Sequence, residues 1–427
     1  MRPINELITE LKQGGFGESI LDICSDSFRV DYERERYIKA LETYRETFPG
    51  DEVSIFSAPG RTEVCGNHTD HQHGQVLAAS INRDAIAVAS PRSDGRISLL
   101  SDGRPLFEAD ISDLEKDPAD TGTTRALIRG VLRGLKDMGH EIGGFNAYVT
   151  SDVLTGAGLS SSAAFETVLG TIINGLYNHM LISPVDIAKA GQFAENTFFG
   201  KPCGLMDQMA CSVGDLIHID FADPKEPAID TLSLDLNKFG MSLIITDTKG
   251  SHADLTADYA AVPKEMKSVA NLFGKSFLRD IDEEDILNNI NFVRRECGDR
   301  AVMRALHFFE ENRRVARAAD AIRNNDISSF LECIRQSGDS SFRYLQNVYT
   351  NSDTYHQNVS VALMLSDRLL KGGKGISRVH GGGFAGTIQA YVRNEDADEY
   401  RNEMDKVFGN GSSSILKIRK YGGIKIT

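Results

Sequence analysis

The chain has 427 residues, 41% of them hydrophobic and 25% charged, which excludes a disordered protein and exceeds what one ordinary core accommodates. Lys plus Arg (47) against Asp plus Glu (61) leaves a net charge of −14 with no dense basic cluster, which argues against a nucleic-acid partner. No run of eighteen apolar residues occurs, and Glu6 and Glu10 interrupt the stretch a signal peptide would need, so no membrane partner is expected and the expected location is cytoplasmic.

Residues 1 to about 50 read as helical, with Asp31 as a cap and Tyr37, Ile38, Leu41, Tyr44 and Phe48 at helical spacing. From Val53 the pattern turns to short β-type runs: VSIFSA, AIAVAS at 85–90 and ISLL at 97–100. A helix through Leu127, Ile128, Val131, Leu132 and Leu135 follows, then the strand FNAYV at 145–149. A glycine-serine turn opens a helix through Val168, Leu169, Ile172 and Ile173, and Ser183-Pro184 starts another. The proline-containing stretch 222–230 marks the best domain boundary; beyond it lie the strand MSLIIT (241–246), a long helical region to about 370, and a closing strand–glycine turn–strand–helix–strand series. Strands and helices without strict alternation predict an α+β fold, with a helical extension over 1–50 and two lobes over 51–228 and 229–427. Six cysteines without short paired spacings argue against a zinc ribbon or a disulfide scaffold.

An acidic chain that binds an anion must hold it with a local device. Gly156, Ala157, Gly158, Leu159, Ser160, Ser161 and Ser162, between a predicted strand and a predicted helix, supply one. Glycines let the backbone approach a ligand, and the free N–H groups of the helix start attract phosphate. No Lys follows the glycines, so a metal ion would have to supply most of the neutralisation. Alone, the segment also reads as a small-residue turn with a serine cap.

Three further segments carry candidate chemistry. Gly60-Arg61 and the loop Gly66-Asn67-His68-Thr69-Asp70-His71 gather short polar side chains suited to a polyhydroxylated ligand, or form a solvated turn. His68, His71 and His73 also have a spacing that metal ligands use. Asp207 stands among small and apolar neighbours in CGLMDQ, and Glu195, twelve residues upstream, shares a helix face with Ile187, Gly191 and Phe198. An inward carboxylate beside a phosphate site is a natural magnesium ligand. Gly381-Gly382-Gly383 marks a tight turn or a close backbone approach.

The set APGR…GNHTDH, GAGLSSSAAFE, CGLMDQ and HGGGFAGT, in this order from about Val53 to the C-terminus, resembles the GHMP kinase superfamily, and its first segment is similar to the galactokinase signature. The resemblance implies a two-lobed fold with ATP and a sugar in the cleft between lobes, Mg²⁺ as cofactor, and transfer of the γ-phosphoryl group to the anomeric hydroxyl of galactose. It implies that the backbone of residues 156–162 wraps the ATP phosphates and that Ser162 and Glu195 hold Mg²⁺. It places Asp207 at the anomeric hydroxyl as base or electrostatic partner, and Arg61 at the transferring phosphoryl group. Asn67, His68, Asp70, Gly204 and Tyr259 would hold the sugar. A monomer is the favoured state.

The chain departs from the galactokinase pattern at three positions: Asn67 stands for the usual Glu, Glu63 for the usual Asn and His71 for the usual Tyr. Two alternatives therefore stay open. One is the same mechanism on another galactose-like sugar, such as an N-acetylated sugar, arabinose or a uronic acid. The other is a sensor that binds sugar and ATP without turnover.

Overall fold

Residues 1–153, 158–250 and 255–427 are described by the computed structural model. The chain begins with a two-residue strand, β1 (Arg2–Pro3), and three helices, α1 (Ile4–Lys12), α2 (Gly17–Cys24) and α3 (Val30–Thr47). Ile4, Leu7, Ile8 and Leu11 on α1 and Tyr37, Ile38, Leu41 and Tyr44 on α3 recur every three or four residues, so each helix has one apolar face. Those faces bury against Val53, Ile55, Ile86, Val88 and Tyr148, which project from one side of the following sheet. The N-terminal extension is therefore a cover for that sheet. Asp31 lies in the first turn of α3 instead of capping it; α3 has no side-chain cap, and the Asp26 carboxylate caps the 3-10 turn Ser27–Arg29 before it by accepting from the Phe28 N–H.

The first lobe follows as β2 (Glu52–Cys65), β3 (Gln75–Arg92), β4 (Arg96–Ser101), β5 (Phe107–Asp110), α4 (Thr124–Asp137), β6 (Gly144–Ser151), α5 (Ser161–Tyr177), α6 (Pro184–Phe193), α7 (Met206–Val213), β7 (Leu216–Asp220) and β8 (Ala228–Leu232). β3 is long enough to serve two neighbours on one edge: residues 75–79 pair with β7 and residues 85–92 with β6, both antiparallel. The path is β1-β2-β3-β6-β4-β5, with β7 and β8 continuing from the other half of β3. Helices α4 to α6 cover the second face through Leu127, Ile128, Val131, Val168, Ile172 and Ile187, in one continuous core with Phe56, Ala87 and Phe145.

The second lobe has β9 (Met241–Asp247), α8 (Thr256–Leu272), α9 (Glu283–Asn288), α10 (Ile290–Cys297), α11 (Asp299–Arg323), α12 (Ile327–Ser340), α13 (Asn358–Leu369), β10 (Gly375–Val379), β11 (Thr387–Arg393), α14 (Ala397–Phe408) and β12 (Ser413–Leu416). Its sheet is antiparallel in the order β10-β11-β9-β12. The last strand, β13 (Ile424–Lys425), returns to the first lobe and pairs with β2 at Ser57 and Phe56. The division expected at 228/229 falls inside β8, which pairs with β7 in the first sheet. Sheet membership is a matter of pairing partners, and the prolines at 224 and 227 precede a strand that still has one. No helix among the described residues is long and apolar enough to cross a membrane.

Leu41 is completely buried between α1 and the sheet. Leu41→Ala is expected to lower unfolding free energy by about 3 kcal/mol, read from the urea midpoint, because the cavity cannot collapse against a sheet.

Candidate active site

After β6 the chain enters the glycine-serine turn. Gly156 and Ala157 lie outside the described residues. Gly158 (φ 66°) and Ser160 (φ 56°) both take the left-handed conformation, and a Cβ at 158 would come within 2.8 Å of the Thr387 hydroxyl. The turn delivers Ser161 and Ser162, both half-buried, to the first turn of the 17-residue helix α5. Their N–H groups have no intrahelical acceptor, which leaves a positive helix end for an anion. Ser160 does not cap this helix; its hydroxyl donates to the Asp207 carboxylate. Buried Leu159 contributes its carbonyl, which accepts from the Arg61 N–H at 3.2 Å.

Arg61 sits on β2 and is 5% exposed. Its guanidinium makes a two-pronged contact with Asp207, Nε to Oδ1 at 2.6 Å and Nη2 to Oδ2 at 2.7 Å, and Nη1 donates to the Gly158 carbonyl. Asp207 occupies the first turn of α7, where the helix end favours a carboxylate. Burial alone would raise its pKa, but the Arg61 charge and fork, with the Ser160 hydroxyl, outweigh burial and hold it below the usual carboxylate value. About 31% of the Asp207 side chain remains accessible, so its partners do not seal it off.

The β2–β3 connection carries the polar loop. Gly66 has φ 107° and His68 φ 60°; the latter costs about 1–2 kcal/mol for a residue with a Cβ and has to be imposed by its surroundings. His68 Nε2–H donates to the Gly382 carbonyl at 3.0 Å. Burial, and then the neighbouring His71, push its pKa down to about 3, so the ring is neutral and Nδ1 is an acceptor. Asp70 meets Gly204: a Cβ at 204 would overlap the Asp70 carboxylate, so the segment leading into Asp207 touches the polar loop directly. The Tyr259 hydroxyl, in the first turn of α8, donates to the Gly383 carbonyl at 2.6 Å. His68, His71 and His73 do not form a metal site. His73 stacks on Phe277 at 3.6 Å, and no group of three His, Cys, Asp or Glu is placed to hold a metal among the described residues.

Asn67 corrects the sequence expectation of a sugar contact. It is fully buried; Nδ2 donates to both Glu63 oxygens (3.1 and 2.9 Å) and to the Gly381 carbonyl (2.7 Å), while Oδ1 accepts from Asn347 (2.7 Å). Its polar atoms are consumed by the protein. The departures at 63 and 67 are thus one feature, because the carboxylate and the amide of the galactokinase pattern have exchanged places within a touching pair. Glu63 in turn meets the buried guanidinium of Arg378 at 2.8 Å. Burial pushes the Glu63 carboxyl up, partly offset by Arg378 and Asn67.

Ser162 and Glu195 offer hard oxygen donors of the kind magnesium takes. Glu195 is 3% exposed, in a π-helical turn (Ala194–Phe199) that continues α6, and Lys201 Nζ approaches it at 3.7 Å. Glu166 lies close by with Oε1 unpartnered among the described residues. Burial, and then the Glu195 charge, push the Glu166 carboxyl well above its ordinary value. The inward side chain inferred from helical spacing is present.

The second lobe supplies further residues, of which only His380 stands in a motif quoted above. Glu311 and His307 on α11, Asn347, Arg378 and His380 are all buried against the polar loop or β2. Burial alone would raise Glu311; its neighbours, the His307 ring and then the Arg314 and Arg378 guanidiniums, with the Ser337 hydroxyl, hold it at about 2. The three glycines at 381–383 were the available signal. Their carbonyls accept from Asn67, His68, Asn347 and Tyr259, so the motif is a backbone buttress.

The galactokinase galactose-binding signature matches residues 42–91, and the GHMP kinases N terminal domain matches residues 126–215. The galactokinase of Streptomyces coelicolor is 30% identical over 372 residues, covering 86% of this chain and 92% of that protein. This chain belongs to the galactokinase family. The crystal structure of Lactococcus lactis galactokinase complexed with galactose superposes with a TM-score of 0.77 at 25% identity, over 90% of this chain and 98% of that one. Methanococcus jannaschii mevalonate kinase shares the fold, with a TM-score of 0.60 at 14% identity over 87% and 99% of the two chains. Arg61, His68 and Asp70 fall within the galactose-binding signature, and Ser162, Glu195 and Asp207 within the GHMP domain.

His68, His307 and His380 are held neutral chiefly by burial. Below about pH 6.5 the unfolded chain binds protons that this galactokinase fold refuses, so stability is present above that pH and falls as pH drops. Each histidine is expected to cost about 1.4 kcal/mol per pH unit below its unfolded value. Urea midpoints measured on both sides of that pH should show the slope, and His380→Gln should make it shallower by about one proton.

Proposed function

We propose that the chain transfers the γ-phosphoryl group of ATP to the anomeric hydroxyl of galactose, giving galactose 1-phosphate and ADP. The observation that carries this reading is the junction at Asp207. Its carboxylate is gripped by Arg61 and by Ser160 of the phosphate turn, and three residues before it Gly204 packs on Asp70 of the polar loop. Nucleotide and sugar elements thus converge on one ionised group. Membership of the galactokinase family and the likeness to a galactose-bound relative support galactose as acceptor over the other sugars and over a silent sensor. A single chain carries every candidate residue, so a monomer suffices, and a cytoplasmic location suits its substrates.

In this reading the helix end of α5, with Gly158 to Ser162, cradles the phosphates. A magnesium ion held by Ser162 and Glu195 would neutralise phosphate charge and polarise the transferring group. His68 Nδ1 and the Asp70 carboxylate accept hydroxyl hydrogen bonds from the sugar, and Tyr259 borders it. Asp207 accepts the hydrogen bond of the anomeric hydroxyl and aims its lone pair at phosphorus. With its basicity lowered by Arg61, Asp207 works first by orientation and charge, and takes the proton as the new P–O bond removes electron density from the sugar oxygen. The Arg61 charge lies where negative charge accumulates on the phosphoryl oxygens.

Purified protein with Mg-ATP should release ADP with galactose well above the rates with N-acetylgalactosamine, arabinose or glucuronic acid. Asp207→Ala should keep its circular dichroism and lose about 10³-fold in kcat. A fully active Asp207→Ala variant would remove the assigned role, and silence across the whole sugar panel would remove the kinase reading.

A further inference from the structure

The polar loop is held from behind by one face of α11, a helix of the other lobe. Glu311 Oε1 accepts from the backbone N–H of Gly66 at 3.0 Å and of Asn67 at 3.4 Å, and also from the Ser337 hydroxyl. Its second oxygen takes Arg314. One turn earlier on the same face, His307 Nε2–H donates to the Asn67 carbonyl at 3.1 Å, its Nδ1 accepting from Ser340 at 2.8 Å. Both backbone groups of Asn67 are therefore spent on α11, and its side chain on Glu63 and the glycine turn. The next residue is His68, in its left-handed conformation. A strained residue persists only where its neighbours over-determine it. Here the neighbours are fixed by a carboxylate and an imidazole, both fully buried.

We infer that Glu311 and His307 are positioning residues for sugar recognition, which clamp the backbone at Gly66 and Asn67 so that His68 and Asp70 face the cleft in the orientation that binds galactose. The inference rests on the reading that this loop holds the sugar. Neither residue touches the cleft groups themselves. They act through the main chain, so any side chain able to make the same backbone bonds should serve. The nucleotide side of the site lies on other elements, the turn before α5 and the π-helical turn after α6, and is not part of the clamp.

The expected signature is a split between the two substrates. Glu311→Gln keeps the shape but sets an amide N–H₂ against either Arg314 or the loop N–H groups; it should raise the galactose KM about tenfold while the ATP KM and kcat change by less than about threefold. A merely structural lesion lowers the active fraction, scaling kcat and leaving both KM values alone. His307→Ala should raise the galactose KM in the same way. His307→Gln, whose amide nitrogen reaches the place of Nε2, should restore it. This pair decides the matter if Glu311→Gln does not fold, and galactose titration calorimetry without nucleotide supplies the matching affinities. Asp70→Asn is measured alongside. If Asp70→Asn raises the galactose KM and the α11 variants do not, the positioning role is wrong and the loop assignment stands. If Asp70→Asn also leaves it unchanged, the loop assignment has failed and the inference falls with it.

Discussion

Arg61 brings a permanent charge into a place where water cannot satisfy it, and the surrounding residues are arranged to meet that demand. Three of its nitrogens have fixed partners: two on the Asp207 carboxylate and one on the Gly158 carbonyl. The guanidinium thereby ties β2, the phosphate turn and α7 into one rigid unit. Leaving such a charge unpaired costs about 3–5 kcal/mol, so Asp207 is held where the fork requires it. The same pairing keeps Asp207 ionised and turns it outward. A structural necessity and a chemical one are met by one contact.

The seam between the lobes extends this logic. Two buried carboxylates, Glu63 on β2 and Glu311 on α11, hold neighbouring parts of the same loop and shift in opposite directions. Both are desolvated to the same degree, and both have a guanidinium. The difference lies first in the neighbouring charges and then in the donors. Glu311 collects two backbone N–H groups and a hydroxyl besides Arg314, whereas Glu63 is met by Arg378 and a side-chain amide. Neighbouring charge decides which way burial is resolved, with the hydrogen bonds adding to it, and the Glu311 charge itself raises Glu63. The neutral histidines at 68, 307 and 380 fill the remaining acceptor positions without adding charge. The lobes also share apolar core, with Phe56 and Ala79 of one and Ile245 and Phe330 of the other in the same cluster, and the directed polar contacts add specificity to their register.

Much of the local structure was legible because it depends on short-range chemistry. Helical periodicity located α3, α4 and α5; the β-type runs located β2, β4, β6 and β9; Ser183-Pro184 located the start of α6. The inward face of Glu195 followed from spacing even though the helix widens into a π turn there. Other points were not legible. The role of residues 1–50 as a cover depends on which sheet face lacked one. The two-residue strand β13 has no pattern of its own and is defined only by its partner β2. Ser160 looked like a helix cap because serine at a helix start commonly is one, yet a stronger acceptor, the Asp207 carboxylate, stands closer to its hydroxyl.

The sequence by itself determined the glycine turns, the helix that follows them, and the residue types that can carry phosphate, metal and sugar chemistry, because each is set by neighbours within a few positions. It also identified the family, because four motifs in fixed order are far more specific than any one. The tertiary structure alone decided which polar residues have their hydrogen-bonding capacity used up by the protein. Asn67 and His68 are adjacent in sequence and equally polar. One is consumed by Glu63, Gly381 and Asn347, and the other spends one ring nitrogen on the Gly382 carbonyl. Apart from Glu63, the partners that make this distinction come from positions 307 to 383, more than two hundred residues away. Hydrogen-bond capacity belongs to a residue, but whether it is already used depends on what the fold brings beside it.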